Sequence, residues 1–388
     1  MKPLVPRKKN PRLPSLDVLR GMVIACMLLV NGLPDFSGAY PALLHSSWEG
    51  LTLADMVMPG FIFAMGTSGS LVLARYRQAR DADFLRRILR RSLILLLLGL
   101  LYNQLQPVLH YIFSAGDSFP GLLAQIAEKG RIMGVLQRLG LIYLFGMLLA
   151  RLLKGESLLN AAAFLLLLLY SASFHLYDAA SPFSPRDNIS MAVDGIFPGP
   201  AHCYLGGDFD PEGLYGTIAA TASMLFGIAA GGWLREDRGP FPARMGRLFL
   251  HGGLLLAAGG LWSYTDAICK ALWTAPYVLL TSGIFMWLLA LLEISFSLIP
   301  GPMARLCAPW NWLGKNAILF YLLTEAGLIT IWNIETASGE ALYPWLWHVT
   351  LQGMGNEPLS ILIFTCLWIC LWLPLARYLH RHDIMLRV

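Results

Sequence analysis

Long apolar stretches alternate with short polar connections along this chain. Ten of the stretches are about 20 residues long, roughly the length a helix needs to cross ~30 Å of hydrocarbon. A backbone at that depth has no water to bond with, so each stretch is predicted to be helical. The predicted spans are residues 18–33, 52–74, 92–111, 132–150, 157–175, 214–234, 246–264, 274–294, 313–333 and 357–376. We predict an all-α, polytopic integral membrane protein with about ten transmembrane helices and a single domain over residues 1–388.

The composition agrees with that prediction. Of 388 residues, 56% are hydrophobic and only 14% are charged, whereas about 25% are charged in a typical soluble chain. The longest polar connection, residues 176–213, is rich in Pro, Gly and Asp and is too short and irregular to form a core of its own. A separate soluble domain is therefore not expected.

The placement of Lys and Arg predicts the orientation, because such residues concentrate in cytoplasmic connections. If the basic segment 2–12 is cytoplasmic, the alternation leaves only five of the 29 Lys and Arg residues on the opposite side, here called the far side. They are Lys129, Arg131, Arg138, Arg186 and Lys270. An even number of spans then puts both termini in the cytoplasm. The net charge of +5 is thus explained by the Lys and Arg residues of the predicted cytoplasmic connections. No nucleic-acid partner is expected, because the sequence has no nucleic-acid recognition motif.

Polar side chains in or beside apolar spans are costly, so each is a candidate for function. Asp17 and Arg20 share one helix face at i, i+3. They form either a structural ion pair or a site where Arg20 faces an anionic cofactor and Asp17 orients it. Asn31, near the other end of that span, can cap a turn or bond a substrate. Segment 75–91 carries seven arginines, which suit either an anchor beside anionic lipid or a surface for a phosphorylated ligand.

One histidine stands immediately before the second span, in 41-PALLHSSWEGLTLAD-55. Thr52 and Asp55 fit the capping box that opens a helix. His45 lies ten residues before Asp55, and its imidazole can take a proton at physiological pH or attack an acyl group. A loop histidine is more often merely solvated. The residues alone leave both interpretations open.

Further polar groups lie on the far-side half of later spans. Gln137 and Arg138 are predicted to be buried at the outer end of the fourth span, and Glu325 lies within the ninth. Because Arg138 and Glu325 are both predicted to lie in the far-side half of the membrane, we expect an ion pair between them. Lys270 is one of the few far-side cations. The motif 208-DFDPEG-213 lacks the EF-hand pattern, so a sugar-binding or structural loop is favoured over a calcium site.

Two pairs of cysteines are notable. Cys203 and Cys269 both fall in far-side connections, where they could form a disulfide. Cys366 and Cys370 share a helix face, but no second pair of ligands accompanies them. No metal site is therefore expected.

Several motifs resemble one known family. They are RLPSLDVLRGM, LVNG, LLHSSWEGLTLADMVMPGFIFAMGTS, RRSLILLLLGLLYN, RIMGVLQRLGLIYL, DPEGLYGTIAATASMLFGIAAGGWL, KALWTAPYVLLTSG and WNWLGKNAILFYLL. In this order, over essentially the whole chain, they resemble the heparan-α-glucosaminide N-acetyltransferase family. The likeness is to its short bacterial form, which has neither the extra luminal region nor the leading span of the lysosomal member.

The resemblance implies an activity. The family transfers an acetyl group from cytosolic acetyl-CoA, across the membrane, to the amine of glucosamine or a terminal glucosaminide on the far side. For a bacterial form, this implies the inner membrane and no metal cofactor. By motif, the family's essential histidine falls on His45 and its amide on Asn31. Asp55 is the third catalytic candidate.

The remaining candidates follow from charge and position combined with the resemblance. Cofactor-binding candidates at the predicted cytoplasmic helix ends are Arg20, Asp17, Arg90, Arg91, Lys315 and Asn316. Substrate-binding candidates on the far side are Trp48, Arg138, Lys270 and Glu325. The pantetheine arm of acetyl-CoA cannot cross a whole ~30 Å core. We therefore expect it to enter a cavity in the bundle, where an inward-folded His45 loop meets the thioester.

Two mechanisms remain open at this stage. Either His45 carries the acetyl group, or it acts as general base while the amine attacks directly. Both need donors for a tetrahedral oxyanion, for which Asn31 and Asn316 are candidates. An amino-sugar transporter is an alternative function, although no internal repeat supports it. An O-acyltransferase acting on a cell-wall or lipid-linked glycan is another. The acceptor and the oligomeric state, including a homodimer, are left open.

Overall fold

The computed structural model describes residues 13–113, 118–207, 209–235 and 238–386. The basic segment 2–12 and Asp208, on which two expectations depended, lie outside these residues. Within the described ranges the secondary structure is helical, and strand pairing is limited to one isolated bridge between Glu335 and Ala341. The all-α prediction is confirmed for this part of the chain.

The helices fall into two sets along the described chain. The first set is α1 (Pro14–Asn31), α2 (Val57–Arg75), α3 (Asp81–Asn103), α4 (Leu105–Phe113), α5 (Phe119–Lys129), α6 (Val135–Leu152), α7 (Glu156–Tyr177) and α8 (Ile189–Ile196). The second is α9 (Gly216–Leu234), α10 (Phe241–Trp262), α11 (Ala275–Leu298), α12 (Pro300–Leu306), α13 (Ala308–Gly314), α14 (Ala317–Trp332), α15 (Leu342–Thr350) and α16 (Glu357–Arg381).

Eight helical segments of the described chain are long and apolar enough to cross a membrane. They are Pro14–Asn31, Ala54–Arg75, Asp81–Phe113, Val135–Leu152, Glu156–Tyr177, Gly216–Trp233, Ala275–Leu298 and Glu357–Arg381. The other two predicted spans coincide with α10, which carries Arg244, Arg247 and His251 in its first half, and with α14, which has only 16 residues. The chain is a multi-pass membrane protein. Of the about ten predicted spans, eight are long and apolar enough in the structure to cross a membrane.

The connections between helices sort into two ends of the bundle. At one end, Arg151 bonds the carbonyl oxygen of Tyr76 at 3.0 Å and the carboxylate of Asp81 at 2.8 Å. Arg238 reaches Glu156 at 2.7 Å in the same region, across the next connection. We call this the basic end. The alternation predicted from charge is therefore present in the structure, while the cytoplasmic placement of this end stays a prediction.

The opposite end is built around the connection between α1 and α2. There the Trp48 indole nitrogen donates to the Phe183 carbonyl oxygen at 2.9 Å, and the Gly50 amide donates to the Ile268 carbonyl oxygen at 2.8 Å. We call this the His45 end. Three connections between helices meet at this end, and the first and last of them, at Gly50 and Ile268, are more than 200 residues apart in the sequence.

The two ends are held together by closely packed helices with small residues at their contacts. All residues of α9 except Ile218 are buried. A Cβ atom on Gly66 of α2 would overlap the Met224 carbonyl oxygen, and one on Gly227 of α9 would overlap the Phe63 carbonyl oxygen. Such backbone-to-backbone approach is how helices associate where lipid supplies no hydrophobic driving force.

We expect Gly227→Ala to destabilise the bundle. The added Cβ has no space against the α2 backbone, and overpacking of this kind costs about 1–3 kcal/mol. The measurement is the apparent Tm in detergent, together with the monodisperse fraction by size-exclusion chromatography. Gly260→Ala is the matched control, because a Cβ at that helical glycine meets open space. Equal melting of the two variants would contradict the close approach of α2 and α9.

Candidate active site

Asp55 is a fully buried carboxylate at the start of the second span, in a 3-10 turn over Ala54–Met56. Its Oδ2 accepts bonds from the Thr52 amide at 3.1 Å and the Ser46 amide at 3.2 Å, and it lies 3.0 Å from the Thr52 hydroxyl oxygen. Its Oδ1 lies 2.8 Å from Nδ1 of His45. Asp55 therefore both caps the turn and holds the imidazole.

The capping box predicted from the sequence is formed only in part. Asp55 reaches back to the Thr52 amide, as the motif requires. The Thr52 hydroxyl, however, lies 2.7 Å from the Leu44 carbonyl oxygen instead of accepting from the helix. This bond ties the residue before His45 to the same carboxylate cluster.

The contact with Asp55 prepares His45 for chemistry. A carboxylate at Nδ1 favours the tautomer with its proton there, which leaves the lone pair on Nε2. The side chain of His45 is 48% exposed, so a substrate can reach it. The pair has the orientation that both a nucleophilic imidazole and a general base need.

Lys270, from the connection between α10 and α11, completes the cluster. Its Nζ lies 3.0 Å from Nδ1 and 3.1 Å from Nε2 of His45, and 3.8 Å from the Asp55 carboxylate. Burial lowers the pKa of Lys270 from its ordinary value, while Glu212 and Asp55 act to raise it. An ammonium group at this position can donate to an oxyanion. The sequence predicted Lys270 as a substrate-binding residue, and the structure places it against His45.

The Leu53 end of the His45 loop packs beside α1. The Cys26 sulfur lies 3.8 Å from the Leu53 carbonyl oxygen. Cys26 is five residues before Asn31, which corresponds to about 8 Å along the axis of α1. The predicted inward fold of His45 itself stays a prediction.

The predicted ion pair between Arg138 and Glu325 is wrong. Arg138, 1% exposed, donates from Nη2 to the Gly213 carbonyl oxygen at 3.0 Å and lies over the Trp273 ring at 5.3 Å. Glu325 accepts instead from the Asn31 amide at 2.7 Å. Arg138 is in the first turn of α6 and faces the start of α9, whereas Glu325 lies in the middle of α14 beside α1. The Asn31 side chain therefore bonds Glu325 and makes no hydrogen bond to His45.

Two carboxylates of the motif at 208–213, those of Asp210 and Glu212, form ion pairs. Asp210 receives two bonds from Arg131, at 2.8 and 2.5 Å, and Glu212 receives one at 2.6 Å. These partners raise the pKa of Arg131 against the opposing effect of burial. The interpretation as a structural loop accounts for both carboxylates. Among the described residues no group of three or more His, Cys, Asp or Glu side chains is arranged to hold a metal ion.

At the basic end, two arginines lie close together. Arg20 bonds Asp17 at 3.2 Å and also contacts the Ser68 hydroxyl. Arg91 lies over the Tyr143 ring at 4.4 Å and is close enough to Arg20 for their charges to interact. Its Nε is buried without a hydrogen-bond partner. The predicted pair of Asp17 and Arg20 is present, and the two arginines leave a positive site beside it.

The other three cofactor candidates differ in their surroundings. Arg90 is exposed on the outer surface of α3. Lys315 follows Gly314, whose Cβ position overlaps the Asp17 carbonyl oxygen, so it belongs to the same end. Asn316 is 3% exposed and bonds the C-terminal segment, donating to the Ile384 carbonyl oxygen at 2.9 Å and accepting from the Leu386 amide at 2.9 Å. The C-terminal segment therefore occupies its amide, and the two roles predicted for Asn316 stay predictions.

The remaining expectations concern packing residues. Trp48 meets the Phe209 ring edge-on at 5.9 Å besides bonding Phe183, so it anchors the His45 loop. Its predicted contact with substrate stays a prediction. Cys203 and Cys269 are both buried, and the predicted disulfide between them is not formed.

Sequence reasoning missed a second histidine and carboxylate pair at the His45 end. His175 Nε2 lies 3.0 Å from Asp266, which also accepts from the Ser171 hydroxyl at 2.5 Å. The available signal was the polar i, i+4 spacing of Ser171 and His175 within an apolar span. A further missed contact is the Tyr277 hydroxyl, which donates to the Asp55 carbonyl oxygen at 2.7 Å.

Residues 12–183, which include the His45 cluster except Lys270, match the family model described as heparan-alpha-glucosaminide N-acetyltransferase, catalytic. Two similar proteins carry the same name. The one from Homo sapiens is 37% identical over 135 residues, which cover 34% of this chain and 18% of that protein. The one from Mus musculus is 36% identical over 139 residues, covering 35% of this chain and 19% of that protein.

The similarity to the heparan-alpha-glucosaminide N-acetyltransferase family is thus limited to this region, which is less than half of the chain. The match includes Asn31, His45, Asp55, Arg20 and Arg91. Lys270, Lys315 and Glu325 lie beyond it, in the part of the chain that the family model does not reach. The aligned regions span less than a fifth of each named acetyltransferase.

A buried acid beside this site makes stability depend on pH. Asp194 of α8 is fully buried, and burial raises its pKa from 3.8 to about 6. Its Oδ2 accepts from the Asp210 amide at 3.1 Å, while its Oδ1 has no partner. Because the folded state holds this proton more tightly than the unfolded state, stability falls as pH rises from about 4 to about 6.

We expect Asp194→Asn to remove that pH dependence. Above pH 6, the ionised carboxylate of Asp194 lowers the free energy of unfolding by at most about 3 kcal/mol. The apparent Tm of the variant in detergent should therefore be higher than that of the wild type at pH 7.5 and close to it at pH 4.5. Asp187→Asn changes an exposed acid and serves as control. A difference between variant and wild type that does not vary with pH would refute the assignment.

Proposed function

We propose that this protein is a transmembrane N-acetyltransferase, which moves an acetyl group from cytosolic acetyl-CoA to the amine of glucosamine or a terminal glucosaminide on the far side. The observation that carries the proposal is the cluster of His45, Asp55 and Lys270 at the opposite end of the bundle from Arg20 and Arg91. Transfer across a membrane needs this separation, with the donor's phosphates bound at one face and its acetyl group received near the other.

The geometry of α2 gives the length of the path. Ser68, which contacts Arg20, and Asp55, which holds His45, are thirteen residues apart on this segment. At about 1.5 Å per residue, they are separated by about 20 Å, compared with ~30 Å for a whole hydrocarbon core. The predicted inward fold of the His45 loop would shorten the distance that the pantetheine arm has to reach.

Arg20 and Arg91 fit the phosphates of acetyl-CoA. The charges of the two guanidinium groups repel each other, and an anion placed between them would offset this repulsion. Guanidinium groups bind phosphate through paired, charge-assisted hydrogen bonds. Lys315 at the same end adds a further charge. Asp17 fixes Arg20 in place.

His45 performs the transfer in one of two ways. As nucleophile, its Nε2 attacks the thioester carbonyl, the carbon–sulfur bond breaks, and coenzyme A leaves as the thiolate. The acceptor amine then attacks the acetyl carbon, the bond to the imidazole breaks, and Nε2 takes up the proton that the amine loses. As general base, Nε2 takes the proton from the amine while that amine attacks the thioester directly; the carbon–sulfur bond breaks, and coenzyme A leaves as the thiolate, which recovers the proton. Asp55 stabilises the positive charge that develops on the ring in both routes.

Lys270 stabilises the negative charge that develops on the carbonyl oxygen of the thioester. In the structure its Nζ is 3.1 Å from Nε2, the atom that must act in either route. Arrival of the thioester shifts the ammonium from Nε2 to the developing oxyanion, where a preorganised donor contributes about 10²–10³ in rate. Asn31, bonded to Glu325, lies further from the imidazole, so we assign oxyanion stabilisation to Lys270.

The decisive experiment uses sealed liposomes with acetyl-CoA outside and glucosamine inside. We expect wild type to form N-acetylglucosamine in the lumen and His45→Ala to lose the activity by at least about 10²-fold, since the acting nitrogen is gone. Product is measured by mass spectrometry after washing.

His175→Ala is the matched control, because His175 is also bonded to a buried aspartate at the same end of the bundle. It should retain activity. Uptake of sugar that depends on neither acetyl-CoA nor His45 would overturn the proposal in favour of an amino-sugar transporter. Product formed on a hydroxyl would indicate an O-acyltransferase.

A separate experiment distinguishes the two routes. If His45 carries the acetyl group, radiolabelled acetyl-CoA without acceptor should label the protein, and the label should leave on addition of glucosamine. His45→Ala should take up no label. Rapid quench that finds unlabelled wild-type protein during normal turnover would establish direct attack by the amine.

A further inference from the structure

A cavity lies at the basic end, between α13 and the last turns of α16. Its volume is about 420 Å³, within the range of about 300–1,000 Å³ that sites for small ligands occupy. Asn316, which bonds Ile384 and Leu386, ties the end of the chain to this place. Gly314, two residues earlier, packs against the backbone of Asp17 at the basic end. None of the residues assigned to the proposed acetyl transfer lines this cavity.

One face of α16 supplies most of the lining. Its residues follow the i, i+3, i+4, i+7 spacing that places side chains on one side of a helix, and they are Cys370, Leu373, Pro374, Arg377, Tyr378 and Arg381. Along this face the side chains change from apolar to cationic within about 16 Å of helix axis. A phospholipid has the same order of groups, with acyl chains toward the middle of the membrane and a phosphate at its surface.

The two arginines of the lining are available to an anion. Arg377 and Arg381 are exposed, and neither forms an ion pair with a residue that the structure describes. Like charges four residues apart on one helix repel each other, and a negative charge between them would offset this repulsion. Guanidinium groups bind phosphate oxygens through paired, charge-assisted hydrogen bonds. The cationic end of the cavity therefore suits a phosphate group.

Aromatic side chains stand beside the arginines. The Arg377 guanidinium lies 5.6 Å from the centre of the Trp312 ring, a cation–π contact that directs it toward α13. The Tyr378 ring lies 4.4 Å from the ring of His382, which also lines the cavity. Trp and Tyr are enriched where a membrane protein meets the lipid headgroups. The rings thus place the cationic end of the cavity at headgroup level.

The apolar end of the cavity continues onto a surface that faces lipid. In the apolar stretch of α16 only 22% of the residues are buried, compared with 94% in α9. Cys370 is exposed, and the exposed Leu367 lies one turn before it on the same face. Acyl chains can lie along these side chains and cover Leu373 and Pro374, whereas a soluble phosphate would leave them bare. The apolar wall therefore favours a lipid over a free anion.

We propose that this cavity binds one anionic phospholipid, whose phosphate meets Arg377 and Arg381 and whose acyl chains lie along the exposed face of α16. Basic pockets between transmembrane helices are a recurrent kind of site for anionic headgroups. A zwitterionic headgroup carries a cation beside its phosphate, and the two arginines repel that cation. The site is separate from the proposed acetyl transfer, so it stands whether or not the protein is an acetyltransferase.

The test titrates the purified full-length protein in detergent with phosphatidylglycerol, or with phosphatidylcholine of the same acyl chains, and counts bound lipids by native mass spectrometry. We expect wild type to bind one phosphatidylglycerol with the lower Kd. The double variant Arg377→Gln, Arg381→Gln should raise this Kd about 30-fold, the contribution of two arginines to binding an anionic lipid, and leave phosphatidylcholine binding unchanged. The matched control is Arg77→Gln, Arg80→Gln, which removes two exposed arginines at the same end but outside the lining.

Three further measurements decide between occupants. Arg377→Lys, Arg381→Lys keeps both charges and should still prefer phosphatidylglycerol, which separates loss of charge from loss of fold. Unchanged phosphatidylglycerol binding in the glutamine variant, or an equal loss in the control variant, overturns the site. Glycerol 1-phosphate, the soluble headgroup, should bind far more weakly than the lipid, and equal affinity would overturn the lipid in favour of a free phosphate. A loss of acetyl-CoA binding in the glutamine variant alone would overturn it in favour of the cofactor.

Discussion

The buried carboxylate of Asp55 is the interaction on which the functional end of this bundle depends. It has no exposed surface, so the free-energy cost of its charge has to be offset by hydrogen bonds. Thr52, Ser46 and His45 provide them, and the Tyr277 hydroxyl bonds the backbone of the same residue. One side chain thereby fixes the start of a transmembrane segment, the path of the preceding loop, the orientation of the imidazole and the docking of α11.

The fold was largely predictable because the bilayer imposes a strong rule on sequence. Runs of about 20 apolar residues predict helices, and each predicted span is mostly helical in the structure. Two predicted spans are not supported as membrane-crossing helices. Helix α10 carries two arginines and a histidine, and the run at 313–333 contains only the 16 residues of α14 as one apolar helix. For the site, local sequence placed His45 and Asp55 ten residues apart in one loop, and the family resemblance selected His45 as the catalytic candidate.

The rest of the site could not be read from sequence because its contacts join distant segments. Lys270 and His45 are separated by 225 residues, and Arg131 meets Asp210 across 79. Equal depth in the membrane was the basis for pairing Arg138 with Glu325, but depth does not specify which helices are neighbours. The surroundings of Asn316 could not be predicted for the same reason, because they are formed by the distant C-terminal segment that packs against it.

The close crossing of α2 and α9 has a consequence for the energetics of the cell. With α9 buried almost throughout and the two backbones in contact at Gly66 and Gly227, the contact between these helices has no space for a chain of water molecules. Under the proposed function, an acetyl group carried on a flexible arm would pass between the two ends without opening an aqueous channel along this contact. The packing of glycines would then let the membrane keep its ion gradients there while one chemical group crosses it.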